Sequence, residues 1–270
     1  MPSLLKRSLL FILLLYKQRR TIWLMALRDR SNSIMNSYFG FLWSFLQPVV
    51  TILVLWFVFW FGLKASGNVS GVPFVLWLTI GIIPWSFIID SLNNGTEAIT
   101  SYDYLVKKVV FNVETLPAIK VLSSLLTHTF FLIFLFVLSF IYGRISFYAI
   151  QTFYYLFCGI IYVFGWTLIT SSINVFFRDT SKILNILNHI GFWLTPIFWN
   201  AALIPEKYKW IIKLNPVFYI VNGYRDSLLH NIGFWQRPVW TIGFWFATLL
   251  ILWLGLLVFA KTKPYFADAL

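Results

Sequence analysis

Residues 147–175 read FYAIQTFYYLFCGIIYVFGWTLITSSINV, a run of 29 residues that contains no charged side chain. A helix needs about 20 mainly apolar residues to cross the ~30 Å hydrocarbon layer of a bilayer. This run is long enough to cross that layer and to tilt within it. It is apolar on every side, whereas a strand of a transmembrane barrel would alternate between apolar and polar residues. The run therefore predicts a membrane-spanning helix.

Composition extends this prediction to the whole chain. Of its 270 residues, 60% are hydrophobic and 11% are charged, against about 25% charged in a typical soluble domain. A soluble core of this size could not bury so much apolar surface. We therefore predict an all-α polytopic membrane protein with six transmembrane helices. The other five spans are expected at roughly Trp43–Leu63, Pro73–Leu92, Pro117–Tyr142, Ile183–Ala201 and Val239–Ala260.

The formal charge of +12 would suggest nucleic acid as the partner of a soluble protein. In a membrane protein, the excess of Lys and Arg in cytoplasmic loops explains it without a nucleic-acid partner. The N-terminus, the second and fourth loops and the C-terminus together carry thirteen Lys and Arg residues, and the opposite side carries seven. Both termini are therefore predicted to be cytoplasmic.

The first 42 residues are predicted to lie at the cytoplasmic membrane surface. Lys6 and Arg7 precede an apolar run, but a basic stretch at residues 17–20 follows it where a signal peptide would have a small-residue cleavage site. We predict an amphipathic interface helix, with a simple positively charged anchor as the alternative. Residues 43–260 then form the six-span domain and residues 261–270 a cytoplasmic tail.

Residues 203–231, between spans five and six on the outer side, are too short to cross the bilayer twice. Pro205 can begin a short helix, and Pro216 disfavours helical backbone at the residue before it. We predict two short re-entrant helices, with a pair of helices lying flat on the membrane as the alternative. Residues 200–238 carry five basic and two acidic residues, and this net charge of +3 favours an anionic polymer as cargo.

Common motifs for binding nucleotides or metals are missing from the sequence. It contains no phosphate-binding G-x-x-x-x-G-K-[ST] loop, no H-E-x-x-H motif and a single cysteine. We therefore predict no catalytic residue, cofactor or metal site in this chain. Asp90 is an intramembrane acid and hence a functional candidate, although a solvated or arginine-paired acid is the simpler interpretation. A polyprenyl-linked glycosyl- or phosphotransferase and an ion-coupled carrier remain alternatives.

Aromatic residues make up 21% of the chain. Trp and Tyr at the ends of spans are typical of membrane interfaces, but this does not explain Tyr154, Tyr155, Tyr162 and Trp166 in the middle of span four. Aromatic faces can pack against sugar rings while offering polar groups at their edges. We predict that these four residues line a polymer passage, with ordinary helix packing as the alternative.

Several short motifs, read in order, resemble the type-2 ABC exporter permeases of cell-surface polysaccharides. They extend from about residue 28 to 230. In chain order they are YFGFLW at 38–43, QP at 47–48, VFFRD at 175–179, WLTPIF at 193–198, NP at 215–216 and GYR at 223–225. Within that family, GVPFV at 71–75 after WFVF at 56–59 resembles the wall teichoic acid permeases, with the O-antigen permeases as near relatives.

The resemblance implies a homodimer that binds two copies of a cytoplasmic ATPase subunit, which carries ATP and Mg²⁺. It implies a polymer cargo linked to undecaprenyl diphosphate, teichoic acid in the first instance and O-antigen or capsular polysaccharide as the alternative. The N-terminal helix, at roughly residues 16–35, and a coupling segment at Ser101–Asn112 would contact the ATPase. The residues expected at that contact are Arg28, Asp29, Tyr102, Asp103, Tyr104, Lys107, Lys108 and Arg178. Those expected at the outer gate are Pro205, Asn215, Pro216, Tyr224 and Arg225.

Overall fold

A computed structural model describes residues 11, 13–35, 42–62, 68–69, 71–107 and 111–270. Four of its helical segments are long and apolar enough to cross a membrane: Phe74–Thr96, Thr115–Ile141, Phe147–Phe176 and Pro238–Ala269. They coincide with four of the predicted spans, and the all-α membrane class is confirmed. Lys108 of the coupling segment and residues 36–41, which include part of the first motif, lie outside the described residues.

The N-terminal part contains a helix α1 at Arg19–Met35 and a helix α2 at Leu42–Phe57. A π-helical turn at Val58–Gly62 continues α2. Two antiparallel two-residue strands, β1 at Asn68–Val69 and β2 at Val72–Pro73, then lead into the long helix α3. Helix α3 extends over Phe74–Thr96.

The central part contains the two longest α-helices among the described residues. The coupling segment forms a short 3₁₀ turn followed by α4 at Asp103–Val106. Helix α5 follows at Thr115–Ile141 and helix α6 at Gln151–Phe176. Helix α7 extends over Thr180–Leu194.

Short helical pieces follow α7 before the last long helix. Helix α8 covers Lys209–Lys213, and α9 covers Pro216–Arg225 with a π-helical turn after it at Asp226–His230. Helix α10 extends over Pro238–Thr262, and α11 at Phe266–Ala269 ends the chain.

Of the two remaining predicted spans, the first agrees with α2 and its π-helical continuation, which together cover residues 42–62. The other is shorter in the structure than in the sequence analysis. Helix α7 ends at Leu194 and not near Ala201, because the residue before Pro196 is disfavoured in helical backbone. Thr195 accordingly has φ of −83° and ψ of 133°. The count of six spans and the cytoplasmic placement of the termini stay predictions.

Helix α1 packs on one end of the long helices. Its buried residues Ile22 and Ala26 are one helical turn apart and contact a cluster that includes Leu116, Leu168 and Phe259. Apolar side chains also project from its other side, where Trp23, Leu24 and Leu27 are exposed. The helix is therefore apolar on both sides and is less strictly amphipathic than predicted.

Helices α6 and α10 pack closely because glycines meet at their contact. A Cβ on Gly255 would lie 2.6 Å from the carbonyl oxygen of Gly165, and a Cβ on Gly165 would lie 3.0 Å from the backbone of Leu252. Small residues at such a contact let two membrane helices approach and gain packing energy. The added methyl group would meet backbone atoms, which cannot move without moving the helix.

We expect Gly255→Ala to destabilise the detergent-purified protein by about 1–3 kcal/mol, the usual cost of forcing extra atoms into a packed core. The measurement is the thermal unfolding transition followed by near-ultraviolet circular dichroism. Gly243→Ala is the matched control, because it lies in the same helix and its added Cβ meets nothing within 4 Å. Equal unfolding temperatures for the two variants would contradict the close contact.

Candidate functional site: a polar groove between four helices

A cavity of about 670 Å³ lies between α2, α3, α5 and α7. Each helix contributes polar residues three or four positions apart, which places them on one side of that helix. These residues are Gln47 and Thr51 on α2, Ser86, Asp90 and Asn93 on α3, Ser124, Thr127 and His128 on α5, and Asn185, Asn188 and His189 on α7. Because polar side chains from all four helices line it, we call this cavity the polar groove.

Aromatic rings complete the wall of the polar groove. The indole of Trp85 on α3 lies 5.9 Å from the ring of Phe192 on α7, measured between centroids. The rings of Phe87 and His128 lie 4.7 Å apart. Trp193 lines the same cavity. The groove thus offers flat apolar surfaces beside amide and hydroxyl groups.

Hydrogen bonds between helices fix the polar side chains. The Asn188 amide donates to Asn93 Oδ1 at 2.9 Å and so joins α7 to α3. The Asn94 amide donates to Asp90 Oδ1 at 3.0 Å and to Ser124 Oγ at 3.2 Å, which joins α3 to α5. These bonds satisfy polar atoms that would be costly to leave unpaired in an apolar environment.

At one end of the groove, a charged cluster ties α1 to the bundle. Asp29 accepts hydrogen bonds from Lys120 Nζ on α5 and from the Tyr102 hydroxyl, both at 2.7 Å. Burial and the neighbouring Asp29 carboxylate raise the pKa of the Tyr102 phenol, so the hydroxyl keeps its proton and donates it. Burial lowers the pKa of Arg30, while Asp90 and Asp29 oppose that shift.

The residues predicted at the ATPase contact divide into two groups. Asp29 and Tyr102 are partly buried and bind each other within the chain. The remaining described residues of that prediction are exposed: Arg28, Asp103, Tyr104, Lys107 and Arg178. The contact with an ATPase stays a prediction, and the exposed group is the part of it that is accessible to a partner.

At the other end of the groove, Arg225 holds the non-helical chain that follows α7. Its guanidinium donates to the carbonyl oxygens of Pro196 at 2.6 Å and Ile197 at 2.5 Å. It also stacks on Trp77, with the guanidinium carbon 3.6 Å from the ring centroid. A Cβ on Gly81 would lie 2.6 Å from this guanidinium, so the glycine on α3 makes room for it. Arg225 therefore fixes the non-helical chain after α7 against α3, and its predicted place at an outer gate stays a prediction.

Asn215, Pro205 and Pro216 set the helix breaks in the chain between α7 and α10, which we call the outer segment after its predicted side of the membrane. The Asn215 side chain accepts from Val217 N at 3.0 Å, which caps α9, and donates to Thr195 Oγ1 at 3.0 Å. Pro216 is the first residue of α9, and Pro205 precedes a 3₁₀ turn at Glu206–Tyr208. The predicted breaks therefore occur at these prolines, and the re-entrant path of the pieces stays a prediction.

Tyr224 connects the outer segment to the polar groove. Its hydroxyl lies 3.1 Å from Nε2 of His128, which lines the groove, and the tyrosine is 1% exposed. Tyr224 is therefore buried against α5, and it is not free to project into an open passage in this arrangement.

The four aromatic residues predicted to line a passage do not line the polar groove. The Tyr154 hydroxyl lies 3.1 Å from that of Tyr219 and accepts from the Trp245 indole at 3.0 Å. The Tyr155 ring lies against Gly223, where an added Cβ would be 2.1 Å from it. Tyr154 and Tyr155 thus hold α9 between α6 and α10. Tyr162 is buried and Trp166 is half-buried. Contact of these four residues with a polymer stays a prediction.

Two of the five basic residues in 200–238 pair with the two acidic residues of the same segment. Arg237 binds Asp226 at 2.8 Å and Lys209 binds Glu206, while Arg225 is bound to two carbonyl groups. These two pairs are already subtracted in the net charge of +3, so the preference for an anionic cargo stays a prediction.

The sequence analysis did not identify the amides of the groove. Asn185, Asn188 and His189 occur at a spacing of three and four residues in an apolar segment. That pattern is the signal that would have indicated a polar side of α7, because polar residues in membrane helices mark pathways or buried contacts. Only the structure shows that the polar sides of four helices meet.

We expect Arg225→Lys to destabilise the purified protein by about 1–3 kcal/mol although the charge is kept. An ammonium group lacks the planar surface that stacks on Trp77 and cannot bind two carbonyl groups in the same fixed geometry. Thermal unfolding in detergent is the measurement. Arg144→Lys is the control, since that side chain also donates to one backbone carbonyl, at Gly71, but in an exposed position. Equal losses in both variants would mean that Arg225 does not fix the non-helical chain after α7.

Comparison with known proteins agrees with this architecture. The chain matches the ABC-2 type transporter family over residues 20–229. It is 29% identical over 254 residues to the O-antigen export system permease protein RfbA of Klebsiella pneumoniae, which covers 90% of this chain and 92% of that protein. It is 25% identical over 259 residues to the protein of the same name from Myxococcus xanthus, covering 95% of this chain and 97% of that protein. A multi-span membrane protein with a polar groove between its helices, this chain belongs to the ABC-2 type transporter family.

Proposed function

We propose that the chain is the membrane-spanning permease subunit of an ATP-driven exporter of a lipid-linked cell-surface polysaccharide. It acts in the bacterial cytoplasmic membrane. The polar groove is the observation that carries this proposal, because polar side chains inside a membrane are costly and typically mark a substrate pathway. Similarity to two O-antigen export permeases over at least 90% of the chain supports the same substrate class.

The polymer itself is the finer part of the proposal. An O-antigen type of polysaccharide is favoured over teichoic acid by the names of the similar permeases. Wall teichoic acid, which the short motifs suggested first, is the alternative cargo.

A homodimer fits the exposed sides of the helices that flank the groove. Helix α7 buries none of its described residues. Its apolar side chains Ile186, Leu187 and Trp193 are each more than half exposed. On α2, Leu53 and Val54 are similarly exposed. A second copy packed against these two helices would enclose the groove between subunits, as a passage for a long polymer requires.

The energy source is proposed to be a separate ATPase, because the sequence has no phosphate-binding loop. Two copies of that subunit, with their ATP and Mg²⁺, would bind the cytoplasmic ends of the dimer. Arg28, Tyr104 and Arg178 are the exposed residues proposed to meet it. The residue pair Asp29–Tyr102 would hold the coupling segment in place from inside.

The test of this function is ATP hydrolysis by the reconstituted complex. The purified chain alone is expected to hydrolyse no ATP, and the complex with its ATPase partner is expected to hydrolyse ATP faster when lipid-linked polysaccharide is added. Turnover by the chain without its partner, either of ATP or of a polyprenyl-linked sugar, would overturn the proposal and favour a transferase.

Two variants of the coupling segment separate docking from internal support. Tyr104→Ala removes an exposed ring and is expected to reduce copurification of the ATPase several-fold while the chain alone keeps its unfolding temperature. Tyr102→Phe removes the hydrogen bond to Asp29 and is expected to cost about 1 kcal/mol of stability with the partner still bound. If Tyr102→Phe reduced copurification of the ATPase and Tyr104→Ala lowered the stability of the chain instead, Tyr102 and not Tyr104 would face the partner.

A further inference from the structure

The charges around the polar groove bear on which polymers it accepts. Among the described residues that line it, Asp90 is the one acid, and neither Lys nor Arg is present. An anionic polymer would therefore find no cation in the lining to replace the water that it loses on entry. Burying a charge without a partner of opposite charge is costly.

The charged cluster beside the groove does not supply a spare cation. Arg30 lies near both Asp90 and Asp29, and Lys120 binds Asp29 at 2.7 Å. Two basic and two acidic side chains balance in this cluster. At the outer end, Arg225 directs its guanidinium at two backbone carbonyl groups. No positive group in the described part of the chain is thus directed into the groove.

The uncharged lining suits hydroxyl groups. Amides both donate and accept hydrogen bonds, and Asn93, Asn185 and Asn188 occupy two facing helices. Thr127 lines the groove, and its buried hydroxyl has no hydrogen-bond partner among the described groups. A ligand in the groove can supply that partner. Trp85 and Trp193 add flat surfaces on which sugar rings can pack.

We infer that the polar groove selects for an uncharged, hydroxyl-rich polymer and discriminates against a polyanion such as a phosphodiester chain. This inference rests on the proposed exporter function and specifies its substrate class. The amides and Thr127 bind successive hydroxyl groups, the indoles support the rings, and the lining provides no Lys or Arg for a phosphate.

The test compares two substrates that share one lipid carrier. The first is an undecaprenyl-diphosphate-linked oligosaccharide of neutral hexoses, and the second is an undecaprenyl-diphosphate-linked glycerol phosphate oligomer with the same number of repeats. ATP hydrolysis by the complete complex in vesicles is measured with each. The neutral substrate is expected to stimulate hydrolysis at about tenfold lower concentration than the polyanion, since moving a phosphate out of water without a cationic partner costs at least that much.

A charge placed in the groove should reverse the preference. Asn185→Lys puts a cation in the lining and is expected to improve stimulation by the glycerol phosphate oligomer and to weaken that by the neutral one. Ser181→Lys is the matched control, because it adds the same charge one turn earlier on α7, outside the groove. It is expected to leave the preference as in the unmodified protein.

The outcomes separate this inference from the function on which it rests. Equal or stronger stimulation by the glycerol phosphate oligomer would overturn the selectivity and leave the exporter function standing. The same conclusion holds if Asn185→Lys and Ser181→Lys shift the preference equally, because the effect would then come from surface charge. No stimulation by either substrate, in a complex that retains its ATPase, would overturn both the exporter function and the inference.

Discussion

Backbone polar groups that leave a helix inside a membrane protein need partners within the protein, and the packing of the chain that follows α7 depends on that requirement. Pro196 ends the helical backbone of α7 early, so the carbonyl groups of Pro196 and Ile197 lose helical partners. Arg225 binds both of them. A non-helical segment survives in a membrane only where protein or a water-filled cavity shields it. The buried arginine therefore determines that α9 must lie against the end of α7 and against Trp77 on α3.

Hydropathy was enough to predict the four long spans, because each of them exceeds the length that a bilayer requires. The proline positions were likewise enough to place the breaks at Pro205 and Pro216. The polar groove could not be predicted in the same way. It depends on which sides of α3, α5 and α7 meet, and each helix alone carries only a few polar residues among many apolar ones.

Residue identity alone does not show which tyrosines join helices within the chain. Tyr154 and Tyr155, predicted to line a passage, contact α9 through Tyr219 and Gly223. Tyr102, predicted at the ATPase contact, donates to Asp29. Contact of these residues with a polymer or an ATPase stays a prediction. Tyrosine combines a large apolar ring with one hydroxyl, so it suits both a binding surface and an internal link between helices. The partner within hydrogen-bonding distance decides between them, and sequence alone does not give that partner.

Helix α5 connects the parts of the molecule that the proposed function requires. Lys120, Ser124 and His128 follow one another at intervals of four residues and therefore lie along one side of the helix. The first binds Asp29 of the interface helix, the second binds Asn94 beside Asp90, and the third contacts Tyr224 of the outer segment. The charged cluster around Asp29, the polar groove and the contact with Tyr224 thus all involve helix α5. A displacement of α5 relative to α3 would alter all three contacts together, so the fold provides a direct geometric link between the proposed ATPase side and the outer end of the groove.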